Sequence, residues 1–206
     1  MMDSDVVTGD DGIGRCRWGT GSPEYQGYYD DEWGRPVGDE TGIFEKFCLE
    51  GFQSGLSWIT ILRKRDAFRK AFAGFDVDAV AGFGDQDVER LLADAGIVRH
   101  RAKITAAIGN ARATVRLHQE GTSLAAIVWR HEPAAGPAPS ALGEVPPSTP
   151  DSKALSAELR RHGFTFVGPT TAYAAMQALG VVNDHLAQCH FRPIAEAEKA
   201  GFTRPV

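Results

Sequence analysis

Cysteine is scarce in this chain, with only Cys16, Cys48 and Cys189 among 206 residues. An odd and small number excludes a disulfide framework and leaves metal binding or plain burial as their uses. Long apolar runs are missing as well, and residues 1 to 14 hold four aspartates around no apolar centre. A signal peptide needs a basic start and an apolar middle, and a spanning helix needs about 20 apolar residues, so no membrane partner is expected. The expectation is a frayed acidic tail over 1–14 and a cytoplasmic protein. Basic residues are not in excess either: 22 Lys and Arg face 27 Asp and Glu, a net charge of -5. Phosphate binding draws on Lys and Arg, so contact with nucleic acid has to rest on the distribution of charge and not its sum. Gly-rich phosphate loops and nucleophile elbows are absent, which removes phosphoryl transfer and serine hydrolysis.

What is present reads as helices. Hydrophobic residues make up 43% and charged residues 24%, an ordinary globular balance that at this length supports one core. One domain over 15–192 is expected, followed by a C-terminal tail over 193–206. Ile43, Phe44, Phe47, Cys48 and Leu49 recur at three-to-four spacing and mark a helix from Glu40 to about Ser54, capped by Asp39. Ser57 is placed to cap a second helix, Trp58 to about Phe72, across the tight turn Gln53-Ser54-Gly55-Leu56. Asp76 and Asp85 are read as openers of two short helices, the second stopped at Gly96, and a longer helix runs from about Arg101 to Gln119. Residues 131–150 read as a long loop, Ser148 to Asp151 as a capping box for a helix to His162, and Thr170 to Leu179 as another helix. Only Phe164-Thr165-Phe166-Val167 suggests a short strand, so the fold class is all-α.

The chemistry concentrates around Glu50, a carboxylate set into the apolar helix that leads to Trp58. Desolvation disfavours its charged form, so it is either bonded to a donor or partly protonated. Backbone amides or a buried arginine would satisfy it structurally; so would the exocyclic amine of a purine. Tyr25, Tyr28, Tyr29, Trp18 and Trp33 crowd the preceding segment, either as core or as walls for a flat, nitrogen-rich ligand. The stretch Ala95 to Ile104 has a glycine, an apolar pair and then Arg99, Arg101 and Lys103. It suits a helix-hairpin-helix, whose amides and cations meet a phosphate, and equally an ordinary helical hairpin. His185 and Cys189 lie one helical turn apart, with Cys16 available from the N-terminal side, a set that can hold an ion or simply pack.

Taken in order, Arg15-Cys16-x-Trp18, Tyr28-x-Asp30-x-Glu32-Trp33-Gly34, the run Cys48 to Trp58, Asp94 to Lys103, Gly163-Phe164-x-Phe166-Val167-Gly168 and Val182-Asn183-Asp184-His185 resemble the DNA-3-methyladenine glycosylase I family. The resemblance spans residues 15 to 190 or so and implies a helical, helix-hairpin-helix enzyme that extrudes a base from alkylated double-stranded DNA. It implies release of free 3-methyladenine by a monomer that leaves the strand uncut. Glu50 would read the adenine edge and act as the catalytic carboxylate, with Tyr28, Trp18, Trp33 and Trp58 binding the base. Gly55 and Leu56 would fill the vacated stack, and Arg101 and Lys103 would contact DNA. Asp94 would be structural, because the family lacks the catalytic aspartate of other helix-hairpin-helix glycosylases. The family also holds a structural zinc ion with two Cys and two His; Cys16, His185 and Cys189 match, but Tyr29 stands in place of the fourth ligand. A phenol keeps its proton up to about pH 10, so zinc would be lost, weakly held, or completed by His190 or water. Ala174 is a further departure, where family members can carry a hydroxyl. Two rivals are a non-catalytic reader of alkylated bases and a bifunctional lyase; the second needs a pocket amine, and the nearest lysines in sequence are Lys46 and Lys64.

Overall fold

The computed structural model describes residues 4–206. Ten α-helices and one two-stranded hairpin are formed by the described residues. The helices are α1 Pro23–Asp31, α2 Glu40–Gln53, α3 Trp58–Ala71, α4 Val77–Ala81, α5 Asp85–Ala93, α6 Arg101–Gln119, α7 Leu124–Arg130, α8 Pro150–Arg161, α9 Pro169–Ala178 and α10 Phe191–Gly201. The helical fold class expected from the sequence is therefore observed. No helix is long and apolar enough to cross a membrane among the described residues.

The central helix, α2, follows from its sequence. Asp39 accepts from the Gly42 amide at 2.7 Å, which satisfies a free donor of the first turn. Ile43, Phe44, Phe47, Leu49 and Phe52 are buried, and α3, α6, α7 and α9 pack around the helix. Glu40 at its start accepts from the amides of Leu124 and Ala125, both at 2.9 Å, and so caps α7. That helix has no amphipathic signature, because Leu124 to Trp129 are all buried. The apolar side chains form two clusters. The larger is built on α2, α3, α6, α8 and α9; the smaller gathers Cys16, Tyr28, Tyr29, Trp33, Leu186, Cys189 and Phe191. Trp58 packs against both, so the seam between the two clusters lies at the end of the turn joining α2 to α3.

Several local expectations are corrected. The 1–14 tail is ordered over its described part: β1 Val6–Thr8 pairs antiparallel with β2 Gly14–Cys16, and Arg15 clamps the hairpin by bonding Asp11 and Asp30. Residues 1–3 of that call lie outside the described residues. The 193–206 tail is largely α10, whose Phe191 and Ala195 are buried. Ser57 stands at the N-cap of α3 without capping it; its hydroxyl bonds Thr60, and the Tyr25 hydroxyl accepts from the Ile59 amide at 3.2 Å. Asp76 does cap α4, but Asp85 is the first residue of α5, where the Asp87 carboxylate takes the Gly84 amide. Thr149 and Ser152 form the capping box of α8. Phe164 to Val167 is not a strand: it has no pairing partner, and Phe166 sits at φ 56°.

Candidate active site

Five segments converge at the seam. The 3-10 turn Arg17–Thr20 supplies Trp18; α1 supplies Tyr25 and Tyr28, with Trp33 just beyond it; α2 supplies Glu50 and Gln53; α3 opens on Trp58; and α9 adds Ala174 and Gln177. Together they line a cavity of ≈ 140 Å³, close to the ~150 Å³ known to admit an aromatic ring the size of benzene. Two glycines allow the close approaches behind it. Gly34, at φ +79°, lets the chain pass His185, where a Cβ would lie 2.5 Å from the imidazole. Gly180, at φ +70°, lets the end of α9 pass the Arg35 backbone, where a Cβ would lie 2.6 Å from the Arg35 carbonyl carbon. Trp33 and Gln177 both line this pocket.

The walls are aromatic and mutually braced. Trp18 packs edge-on to Trp33 at 4.9 Å, and Tyr28 lies 5.3 Å from Trp58 at a 47° tilt. Gln177 donates to Asp184 at 2.8 Å, and the Tyr173 hydroxyl donates to the same carboxylate oxygen at 2.6 Å, which holds the Gln177 amide in one orientation.

Glu50 is 6% exposed and has no hydrogen bond or ion pair with any described residue. Burial pushes its carboxyl up to about 7 from an ordinary 4.5, and Lys46 pulls the other way. A buried carboxylate left without a partner costs about 1–3 kcal/mol or more, so the arrangement disfavours stability and favours a ligand that can donate to it. Of the structural alternatives open at the sequence level, neither an arginine nor a set of backbone amides is found at Glu50. Asp94, by contrast, is occupied in a turn, accepting from the Gly96 amide at 2.7 Å.

The residues expected at the DNA surface divide. Gly55, at φ +79°, and Leu56 form the exposed tip between α2 and α3. Leu56 and Phe166 are large exposed apolar side chains, 42% and 40% accessible, and Phe166 packs on Gly51 of the same helix end. Arg101 is exposed but paired with Glu89 at 2.6 Å. Lys103 is not a surface cation. It is buried, and its ammonium donates to the carbonyls of Phe52 at 2.8 Å and Ser54 at 2.5 Å, capping the C-terminal end of α2. Its expected contact with DNA is thus corrected to a brace beneath the Leu56 turn.

The cysteine end is also built differently from a zinc site. Tyr29 bonds Cys189 Sγ at 2.9 Å and accepts from the Cys16 amide at 3.2 Å. The hydrogen bond from Cys16, then that from Tyr29, draws the Cys189 thiol down to about 6 against the opposing effect of burial. His185 is neutral, pulled down to about 3 by burial and by Arg35 and Arg192. Its Nδ1 faces Asn183 Oδ1 at 2.8 Å, which leaves the buried Nε2 without a partner. Among the described residues no three His, Cys, Asp or Glu side chains come together to hold one ion, and the exposed His190 does not complete the set. With a protonated phenol bonded to the thiol where an imidazole is needed, these residues do not fit a closed zinc site.

Sequence reasoning named Tyr25 among the aromatics that could wall a pocket, but it missed Gln53 and Gln177, and it set Lys46 aside. Lys46 stood at an apolar register position, three residues after Ile43 and four before Glu50, which was the available signal.

Comparisons with known proteins show the family. A family model described as methyladenine glycosylase matches residues 18–193. The DNA-3-methyladenine glycosylase 1 of Escherichia coli strain K12 is 49% identical over 178 residues, 85% of this chain and 95% of that protein. The DNA-3-methyladenine glycosylase of Haemophilus influenzae is 43% identical over 178 residues, 85% of this chain and 96% of the relative. Among solved structures, a crystal structure of 3-methyladenine DNA glycosylase I superposes with a TM-score of 0.84 at 46% identity, covering 87% of this chain and all of that one. A structure of the Staphylococcus aureus enzyme, described as the basis of 3-methyladenine recognition, gives 0.82 at 31% identity, covering 87% of this chain and 96% of its own.

Proposed function

The chain belongs to the methyladenine glycosylase family and is a DNA N-glycosylase of base-excision repair; we propose that it reads and releases 3-methyladenine in the pocket around Glu50. The observation that carries this reading is the unpartnered, buried Glu50 carboxylate facing a cavity walled by Trp18, Tyr28, Trp33 and Trp58.

Methylation at N3 places positive charge on the purine and makes it a good leaving group, so strong acid catalysis is not needed. The enzyme has to extrude the base, recognise it and stabilise the sugar cation that forms as the glycosidic bond opens. Adenine presents an amine donor at N6 and an acceptor at N7. Glu50 accepts from the amine and adds negative potential where the sugar becomes cationic. The aromatic walls stack on the extruded ring. Extrusion costs a few kcal/mol in lost stacking, and Leu56, raised on Gly55 and braced by Lys103, enters the gap. Arg101, at the start of α6, stands where a hairpin between α5 and α6 meets phosphate, its pairing with Glu89 exchanged for the DNA backbone.

The finer parts of the reading are a strand left uncut, action as a monomer, a cytoplasmic setting, and a metal content well below one zinc per chain. Methylated duplex DNA incubated with the protein should release 3-methyladenine, identified by chromatography, while the strand stays full length on a denaturing gel without alkali. No released base would overturn the assignment of the pocket, and enzyme-dependent scission would overturn the monofunctional reading.

A further inference from the structure

Lys46 is a lysine in the wrong place for a surface residue. It sits on α2 among Phe44, Phe47 and Leu49, and it is only 9% exposed. Its ammonium lies 3.1 Å from the Tyr28 hydroxyl, 4.8 Å from the Tyr28 ring centre and 5.2 Å from the Trp58 ring centre. It does not line the cavity, so it cannot reach a sugar there as a Schiff-base amine. An ammonium has three donors and no acceptor. The Tyr28 oxygen therefore receives the hydrogen bond, which leaves the phenol proton to point elsewhere, and the Tyr28 hydroxyl has no other hydrogen-bond partner among the described residues. Glu50 follows Lys46 by four residues, one helical turn along the same face.

We propose that Lys46 is a positioning residue of the excision site: by donating to the Tyr28 hydroxyl it turns the phenol proton toward the pocket as a donor for the base, and as a buried cation one turn from Glu50 it favours the ionised form of that carboxylate. The pocket then offers a donor from Tyr28 and an acceptor from Glu50, the complement of the N7 acceptor and N6 donor on one edge of adenine. An uncharged packing residue at position 46 would leave the phenol free to rotate and the carboxylate with no compensating charge. The inference rests on the proposed reading of Glu50 as the residue that meets the base.

The charges around this pair come from three helices. Lys46 faces Glu50 and Glu45 on its own helix, Glu32 after α1, and Arg65 on α3. Tyr28 faces Glu50, Glu32 and Arg65. Arg65 is itself held by Glu32 at 2.7 Å, which leaves Lys46 as the cation that acts on Glu50.

The test measures base release against pH for the wild type, Lys46→Met and Lys46→Gln, with Glu50→Gln alongside and thermal unfolding recorded for each. Lys46→Met removes donor and charge together. Its kcat/KM should fall about tenfold at pH 7, with the acid limb of the profile displaced upward by about one pH unit and activity only partly recovered near pH 9, because the donor to Tyr28 stays missing. Lys46→Gln keeps a donor without the charge, so it should show the same displaced limb but a KM within about twofold of wild type. A folded Lys46→Met protein whose profile superposes on wild type would overturn the inference. A folded Lys46→Gln protein with the wild-type limb would do the same, even if Lys46→Met fails to fold. Full activity in Glu50→Gln would instead remove the underlying reading of the pocket.

Discussion

At the scale of single residues, Glu50 sets function against stability. Its folded pKa is raised to about 7 from an ordinary 4.5. A raised carboxyl contributes its stability below pH 4.5 and loses it as pH climbs through 7, because burial then opposes ionisation in the folded state alone. Glu50→Gln should consequently melt within about 1 °C of wild type at pH 4 and roughly 4 °C or more above it at pH 8. A constant difference across that range would show that the carboxylate is not held in the buried, unpaired state. Tyr29 supports a second prediction. Tyr29→His would place an imidazole beside Cys16, Cys189 and the free Nε2 of His185. Elemental analysis should find about one zinc per chain in that variant, against well under one in the parent. Stoichiometric zinc in the parent, or none in the variant, would contradict the account of this end. Glu50, Trp18, Trp33 and Trp58 were legible in the sequence because each breaks a local pattern, a charge in an apolar helix or indoles where one core residue would do. Lys46 and Gln177 were not, because their roles depend on which helix they meet across the seam, and spacing along one helix does not carry that.

At the scale of elements, the turn between α2 and α3, proposed above to enter the DNA stack, is braced by Lys103 on α6. The ammonium takes two carbonyls at the C-terminal end of α2, where a cation is favoured. Lys103→Met should leave the pocket intact, with affinity for free 3-methyladenine within about twofold of wild type, yet lower excision from duplex DNA about tenfold because the Leu56 tip is no longer held in place. An equal fall in both would mean that Lys103 supports the pocket, and no fall in either would remove the brace. The amphipathic helices α2, α3 and α6 could be drawn from periodicity alone, since one face of each is buried. α7 could not, because it is apolar on every side and is capped by Glu40, a residue more than 80 positions away. The 164–167 segment misled for the converse reason. Its aromatic and β-branched residues favour a strand, but they are used instead in a turn with Phe166 at positive φ. The N-terminal hairpin was obscured by its aspartates, one of which, Asp11, is an internal partner of Arg15.

At the scale of the whole molecule, the pocket exists because two apolar clusters meet imperfectly, with Trp58 shared between them and a cavity left beside it. Under the net charge of -5, Arg63, Arg65, Arg69, Arg90 and Arg101 each contact a carboxylate, so part of the positive charge is neutralised within the molecule. On the proposed reading, the fold presents one carboxylate to one flat guest. Titration of free 3-methyladenine into the protein, followed by tryptophan fluorescence at pH 8, tests that most directly. Saturation at one molecule per chain is predicted, with affinity lowered about tenfold or more in Glu50→Gln; no saturable change, or equal affinity in the two proteins, would contradict it.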